Sequence, residues 1–231
     1  MYNCIHFCIR YSESDCEVQV FGKILRNEIN EDFRFALLQM RSTIHALIPS
    51  YFRKKYPLRD EREIVKMCKD RYEGLLAEEE WVDLVKFMYD EKDSVSVICK
   101  LQEYIRASII AAGRDINGGN KCSESPLMTM LYVEFVDEMM QIQVESQEKF
   151  LAKFRKLFSR FDTDNDGVLS RGEYRQLVMA LAQRKSEPQL IAMCEKVDPT
   201  NTNRISFSDS VTSLVGEIAE SNGKNRKKNN Y

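Results

Sequence analysis

The run Asp162-Thr163-Asp164-Asn165-Asp166-Gly167-Val168-Leu169-Ser170-Arg171-Gly172-Glu173 constrains this chain more than any other stretch. Asp162, Asp164 and Asp166 alternate and offer hard carboxylate oxygens, and Glu173 closes the run with a fourth acid. Gly167 allows a sharp turn that a side chain would obstruct. The flanks agree with a loop set between two helices. Before it, Phe150, Leu151, Phe154, Leu157, Phe158 and Phe161 recur at spacings of three and four, so they line one helical face. After it, Tyr174, Leu177, Val178 and Leu181 do the same. A solvated acidic turn could show the acids by chance, but it would not also carry both amphipathic flanks.

Loop and flanks together fit the pattern D-x-D-x-D-G-x5-E. Over about residues 147–219 the chain resembles the EF-hand superfamily. That resemblance implies calcium. Asp162, Asp164 and Asp166 fall at loop positions 1, 3 and 5 and would give carboxylate oxygens, and Val168 at position 7 its backbone carbonyl. Ser170 at position 9 would reach the ion directly or through water, and Glu173 at position 12 would supply both oxygens. Magnesium is the expected competitor.

A second loop, Asp198 to Asp209, begins 36 residues after Asp162, a spacing similar to that of paired hands. Its ligand positions hold Asp198, Thr200, Thr202, the Arg204 carbonyl and Asp209. Only two carboxylates remain, and Asp209 is a methylene shorter than the glutamate of the first loop. Asn203 can still make the left-handed turn. This loop is expected to bind metal weakly or not at all and to act as a structural partner, with Leu169 and Ile205 forming a short β-bridge. A fainter trace lies at 61–90. Gly74, Leu76 and Glu80 fall where a loop beginning at Lys69 would place its turn, its bridge residue and its last acid. Lys69 and Arg71 occupy ligand positions, so this is a metal-free vestigial hand or an ordinary helix–turn–helix.

The pattern of the whole chain predicts an all-α protein: a helical N-terminal domain, a long connector helix and a C-terminal EF-hand pair. The expected divisions are a flexible N-terminus at 1–16, a helical domain at 17–112 and a Gly/Asn/Ser-rich linker at 113–125. A connector helix at 126–147, opened by Pro126, the hand pair at 148–220 and a disordered basic tail at 221–231 follow. Helices are predicted at 30–56 (with Pro49 bending or dividing it), 61–73, 79–90 and 93–112. The connector is apolar over most of its circumference, with Met128, Met130, Met139 and Met140. That girth points to burial between two halves rather than to an open methionine-rich groove.

With 43% hydrophobic and 30% charged residues, 231 residues can bury a proper core, as a soluble globular protein does. No apolar run approaches the roughly 20 residues of a membrane span. The seven cysteines are odd in number and scattered, which suits reduced thiols and a cytoplasmic setting. Cys4, Cys8 and Cys16 with His6 fit no standard zinc spacing. His45 stands among apolar neighbours, as a packing histidine does. No nucleophile elbow, zinc-protease helix, phosphate-binding loop or kinase signature occurs, so no catalytic residue is assigned and an enzyme is not expected.

Charge is unevenly spread. Residues 1–146 carry 19 basic and 25 acidic side chains, and residues 147–231 carry 15 and 11. The half with the acidic loop is therefore the basic half. Lys149, Lys153, Arg155, Lys156 and Arg160 suit an acidic protein surface, tubulin-like for example, or form a solvated face. Two functional readings stay open. One is a calcium-regulated module that captures an amphipathic helix. The other is a constitutive component of a cytoskeletal, ciliary or flagellar axonemal, microtubule-associated assembly. Neither involves nucleic acid.

Overall fold

Apolar residues spaced by three and four put most of this chain into helices, and the computed structural model describes residues 16–111, 128–182 and 185–228. Among these residues the elements run α1 (Cys16–Leu25), α2 (Asp32–Lys55), α3 (Glu61–Tyr72), β1 (Leu75–Leu76), α4 (Glu78–Met88), α5 (Glu91–Ala111) and β2 (Met130–Leu131). They continue α6 (Tyr132–Phe161), β3 (Val168–Leu169), α7 (Arg171–Leu181), α8 (Glu187–Val197), β4 (Ile205–Ser206) and α9 (Phe207–Lys228). The fold is all-α apart from two antiparallel pairs of two-residue strands, β1 with β2 and β3 with β4. No helix of the described residues is long and apolar enough to cross a membrane. Pro49 lies inside α2 without ending it.

The chain divides into two compact units, Met1–Leu37 with Gln143–Tyr231, and Leu38–Ile142. In the first, the latter part of α6 and helices α7, α8 and α9 enclose an apolar core. Leu151, Phe154, Phe158, Leu169, Tyr174, Leu177, Ile205, Phe207 and Leu214 are among its members. Phe207, the first residue of α9, lies with its ring centroid 5.7 Å from Phe154 and 5.2 Å from Phe158, edge-on to the latter. The short strands seat the loops over this core. Val168 pairs with Ser206 and Leu169 with Ile205. Ser170 caps α7, its Oγ accepting the Glu173 amide at 3.3 Å while Glu173 Oε2 accepts the Ser170 amide at 2.9 Å, a reciprocal capping box.

The same unit holds the N-terminal segment, which the sequence pattern places with the helical domain at 17–112. Charge and hydrogen bonding explain the regrouping. Lys23 Nζ lies 2.5 Å from Glu148 Oε1, and Gln147 Nε2 donates to Asn30 Oδ1 at 2.8 Å. The Glu31 amide donates to Ser208 Oγ at 2.9 Å, and Thr212 Oγ1 donates to Asp32 Oδ2 at 2.6 Å. Val20 and Ile29 are buried.

In the second unit, Leu75 pairs with Leu131 and Leu76 with Met130. This pairing corrects the expected start of the connector. Residues 128–131 are not helical, 130–131 being extended, and α6 begins at Tyr132. Their backbone is engaged across the strand pair, and Glu134 Oε2 accepts the Leu131 amide at 3.0 Å. From there α6 runs unbroken for 30 residues. Phe135, Val136, Met139, Met140, Ile142 and Val144 are buried, as a helix apolar around its girth requires. Trp81 is fully buried, and its Nε1 donates to the Met128 carbonyl at 2.9 Å. His45 stacks on Tyr72 at 3.9 Å, and its Nδ1 lies 3.1 Å from the Tyr132 hydroxyl. It is a packing histidine.

A further correction concerns the tail. α9 includes Ser221 to Lys228, which the composition assigns to a disordered segment. Asn222 Nδ2 donates to the Phe150 carbonyl at 2.9 Å, and a helix already nucleated on a packed face extends at little cost per residue. Cys4, Cys8, His6, the linker 113–125, Pro126 and residues 229–231 lie outside the described residues.

Phe207→Ala is expected to lower stability by about 3–5 kcal/mol, the range for deleting a buried aromatic ring. A urea titration followed by circular dichroism measures it; a loss under about 1 kcal/mol would mean the ring is not central to the core.

Candidate metal centre

The loop between α6 and α7 gathers three carboxylates, against which the described residues set a single ion pair, Arg204 with Asp166. Asp162, Asp164 and Asp166 each offer a carboxylate oxygen, and these atoms lie within 4.8 Å of one another. Among the described residues this is the one such cluster of three. The loop folds around its own acids. Asp162 Oδ2 accepts the Gly167 amide at 3.1 Å, Asp164 Oδ1 the Asp166 amide at 3.3 Å, and Asp166 Oδ1 the Val168 amide at 2.9 Å. Asn165 and Gly167 take positive φ, 56° and 84°, and the tight turn needs them.

Asp162 carries the main point. The residue is 8% exposed, and its Oδ1 is buried with no hydrogen-bond partner. Burial pushes its pKa above the ordinary range, and the negative Asp164 and Asp166 add to the rise. A buried carboxylate oxygen without a donor is costly. Among two further carboxylates, its natural complement is a cation.

Glu173 stands apart from the three aspartates. Its Oε1 accepts the Thr163 amide at 3.1 Å and the Thr163 hydroxyl at 2.5 Å, and its Oε2 accepts the Ser170 amide and hydroxyl at 2.9 and 2.8 Å. Bonds from Thr163 and Ser170 hold it down at a pKa of about 2. Glu173 thereby ties the first residues of the loop to the start of α7. Val168 sits in β3, and Ser170 is the helix cap.

The second loop repeats the backbone and changes the charge. Asn201 and Asn203 take φ of 54° and 58°, at the places of Asn165 and Gly167. Asp198 Oδ2 accepts the Asn203 amide at 3.0 Å, as Asp162 accepts Gly167. Its Oδ1 accepts the Thr202 amide and hydroxyl at 2.8 and 2.9 Å. Asp209 Oδ2 accepts the Ser206 amide at 3.2 Å and the Ser206 hydroxyl at 2.6 Å. Thr200 is exposed. Burial alone would raise the Asp198 pKa, but the Thr202 and Asn203 bonds and the nearby Arg171 charge bring it below the usual value. Asp162 and Asp198 are therefore shifted in opposite directions at equivalent places.

Three contributors carry no sequence signal. Arg171, inside the first loop, reaches the second: its Nε lies 3.2 Å from Asp198 Oδ2 and its Nη1 donates to Asn201 Oδ1 at 2.7 Å. Arg204, inside the second, returns to the first, its Nη1 3.3 Å from Asp166 Oδ2. Asn27, from the N-terminal segment, donates from Nδ2 to the Gly167 carbonyl at 3.3 Å. Only the folded pair brings these side chains to the loops.

Around residues 69–80, Glu78 accepts from Gln102 Nε2 at 3.4 Å and Glu80 is ion-paired to Arg71 at 2.8 Å. The two glutamates are thus committed to different partners rather than set as an acid/base pair.

The geometry and one comparison with known proteins agree. Residues 153–182 match a family model described as an EF-hand domain, a span that takes in the end of α6, the acidic loop and α7. Over those residues the C-terminal half of this chain is similar to an EF-hand domain.

Proposed function

We propose that this chain is a non-enzymatic calcium-binding protein with one competent loop, in which the ion stabilises a helical surface offered to a protein partner. The single observation that carries this is Asp162 Oδ1, buried and unpartnered within a cluster of three carboxylates. Asp162, Asp164, Asp166, the Val168 carbonyl, Ser170 and Glu173 would hold the ion, with magnesium as competitor. Bound calcium supplies positive charge and a demand for oxygen ligands. The chain supplies the turn at Gly167 and the cap at Ser170 that keep those oxygens on one side.

The contacts of the N-terminal segment favour a constitutive, calcium-stapled module over a freely opening sensor. Lys23, Asn27, Asn30, Glu31 and Asp32 all bond to α6, the first loop or α9, so the segment ties both ends of the hand pair together. Lys149, Lys153, Lys156 and Arg160 are exposed along one side of α6, at helical spacings. An acidic protein surface is their complement, as in the cytoskeletal or axonemal reading and a cytoplasmic setting. In the sensor reading, the cleft lined by Phe154, Leu157, Leu181 and Ile218, of about 270 Å³, would widen to take an amphipathic helix.

Isothermal titration of the full chain should give a dissociation constant of about 10⁻⁷–10⁻⁵ M. Glu173→Gln should weaken it by about 10–100-fold, as damage to a metal shell does. No binding up to millimolar calcium would end the proposal. A dye that reports exposed apolar surface separates the two modes: unchanged emission on calcium addition supports the staple, and a calcium-dependent rise supports the sensor. Arg204→Gln removes a competing charge from Asp166 at an exposed pair, so calcium affinity should tighten by up to about fivefold. Weaker binding in that variant would show that Arg204 supports the loop instead.

A further inference from the structure

The loop at 198–209 sets an arginine on Asp198, the counterpart of the unsatisfied Asp162, and the segment at 69–80 sets one on Glu80, the counterpart of Glu173. Arg171 directs its whole guanidinium at the second loop and the end of α8. Besides the Asp198 and Asn201 contacts, its Nη2 donates to the Asp198 carbonyl at 3.0 Å. The Asp198 carboxylate is 2% exposed; Thr202 and Asn203 donate to its two oxygens, and the guanidinium faces it as an ion pair at 3.2 Å, with no hydrogen bond from Nε. A cation beside the last carbonyls of α8 also complements the helix dipole.

The segment 69–80 shows the same solution with different residues. Arg71 Nε lies 3.0 and 2.8 Å from the two oxygens of Glu80, whose carboxylate is 8% exposed. Glu80 Oε2 also accepts the Ala77 amide at 3.1 Å, as Glu173 accepts Ser170. Gly74 holds the sequence place of Gly167 without its positive φ, residues 69–72 being still the last turn of α3, and a Cβ there would lie 2.6 Å from the Asp70 carbonyl oxygen. Leu76 bridges to Met130 as Leu169 bridges to Ile205. Asp162 has no such arginine; Arg204 reaches only the outer Asp166.

We propose that 198–209 and 69–80 are EF-hand loops closed by a protein cation, Arg171 in the one and Arg71 in the other, so that of these three loops only 162–173 takes calcium. This rests on the EF-hand reading of the first loop. A guanidinium stays charged at all accessible pH and presents a fixed fork of donors. An ion entering either loop would have to displace it and leave that charge unpaired. The two loops keep their form without metal, and the first loop alone answers to calcium.

Amide hydrogen exchange on the full chain, with chelator and with calcium, tests this at Gly167, Thr202, Asn203 and Ala77. In the native chain, protection at Thr202, Asn203 and Ala77 should change by less than about twofold on calcium addition, while Gly167 gains about tenfold or more. Arg171→Gln should lose about tenfold protection at Thr202 and Asn203 with Ala77 unchanged, and Arg71→Gln should do the converse. Arg171→Lys, which keeps the charge, should retain most of the protection. A calcium-dependent tenfold gain at Thr202 and Asn203 in the native chain would overturn the proposal for that loop, as would an unaltered Arg171→Gln variant. If Arg171→Gln does not fold, the native chain and Arg171→Lys still decide. A Gly167 amide indifferent to calcium would instead refute calcium binding at the first loop, which keeps the two failures distinct.

Discussion

A carboxylate held out of water needs a positive charge beside it, and the loops of this protein are organised by how they meet that need. At Asp198 and Glu80 the charge comes from the chain, through Arg171 and Arg71. At Asp162 none of the described residues supplies it, and Asp164 and Asp166 deepen the deficit. The opposite pKa shifts of Asp162 and Asp198 express the same contrast. Two loops with nearly the same backbone thus differ in whether they have an internal counter-charge, and the proposed calcium site is the one without it.

The backbone can be shared because ligand chemistry does not hold the loops in shape. Left-handed residues at Asn165 and Gly167, and at Asn201 and Asn203, make the turns. Pairing of Leu169 with Ile205 fixes the loops side by side, and both side chains are buried in the core. Acids at the loop ends accept the amides of Ser170 and Ser206. The turns and the strand pairing survive the loss of metal-binding side chains, so a depleted loop can remain as scaffold for its neighbour.

The N-terminal segment adds a third party to the hand pair. Asn27 donates to the carbonyl of Gly167, the residue that makes the sharp turn of the acidic loop, while Asn30 and Asp32 hold side chains of α6 and α9. A pair tied in this way has fewer ways to open, which is the physical basis for reading the ion as a staple. Lys149, Lys153, Lys156 and Arg160 stay exposed on α6.

The sequence alone determined the elements with local causes. Helical periodicity placed the long helices, since burying one face every three or four residues is a property of the chain itself. The alternating acids, Gly167 and Glu173 marked the loop, because the demands of an oxygen-loving ion fall on twelve consecutive residues. Tertiary structure decided what depends on distant partners. Met130 and Leu131 became a strand because Leu75 and Leu76 offered a backbone to pair with. α9 continued past Ser221 on a face already packed. Nothing around Arg171, Arg204 or Asn27 in the sequence points to the groups they meet. Their roles arise from contacts 27, 38 and 140 residues away, and local composition carries no trace of such pairings.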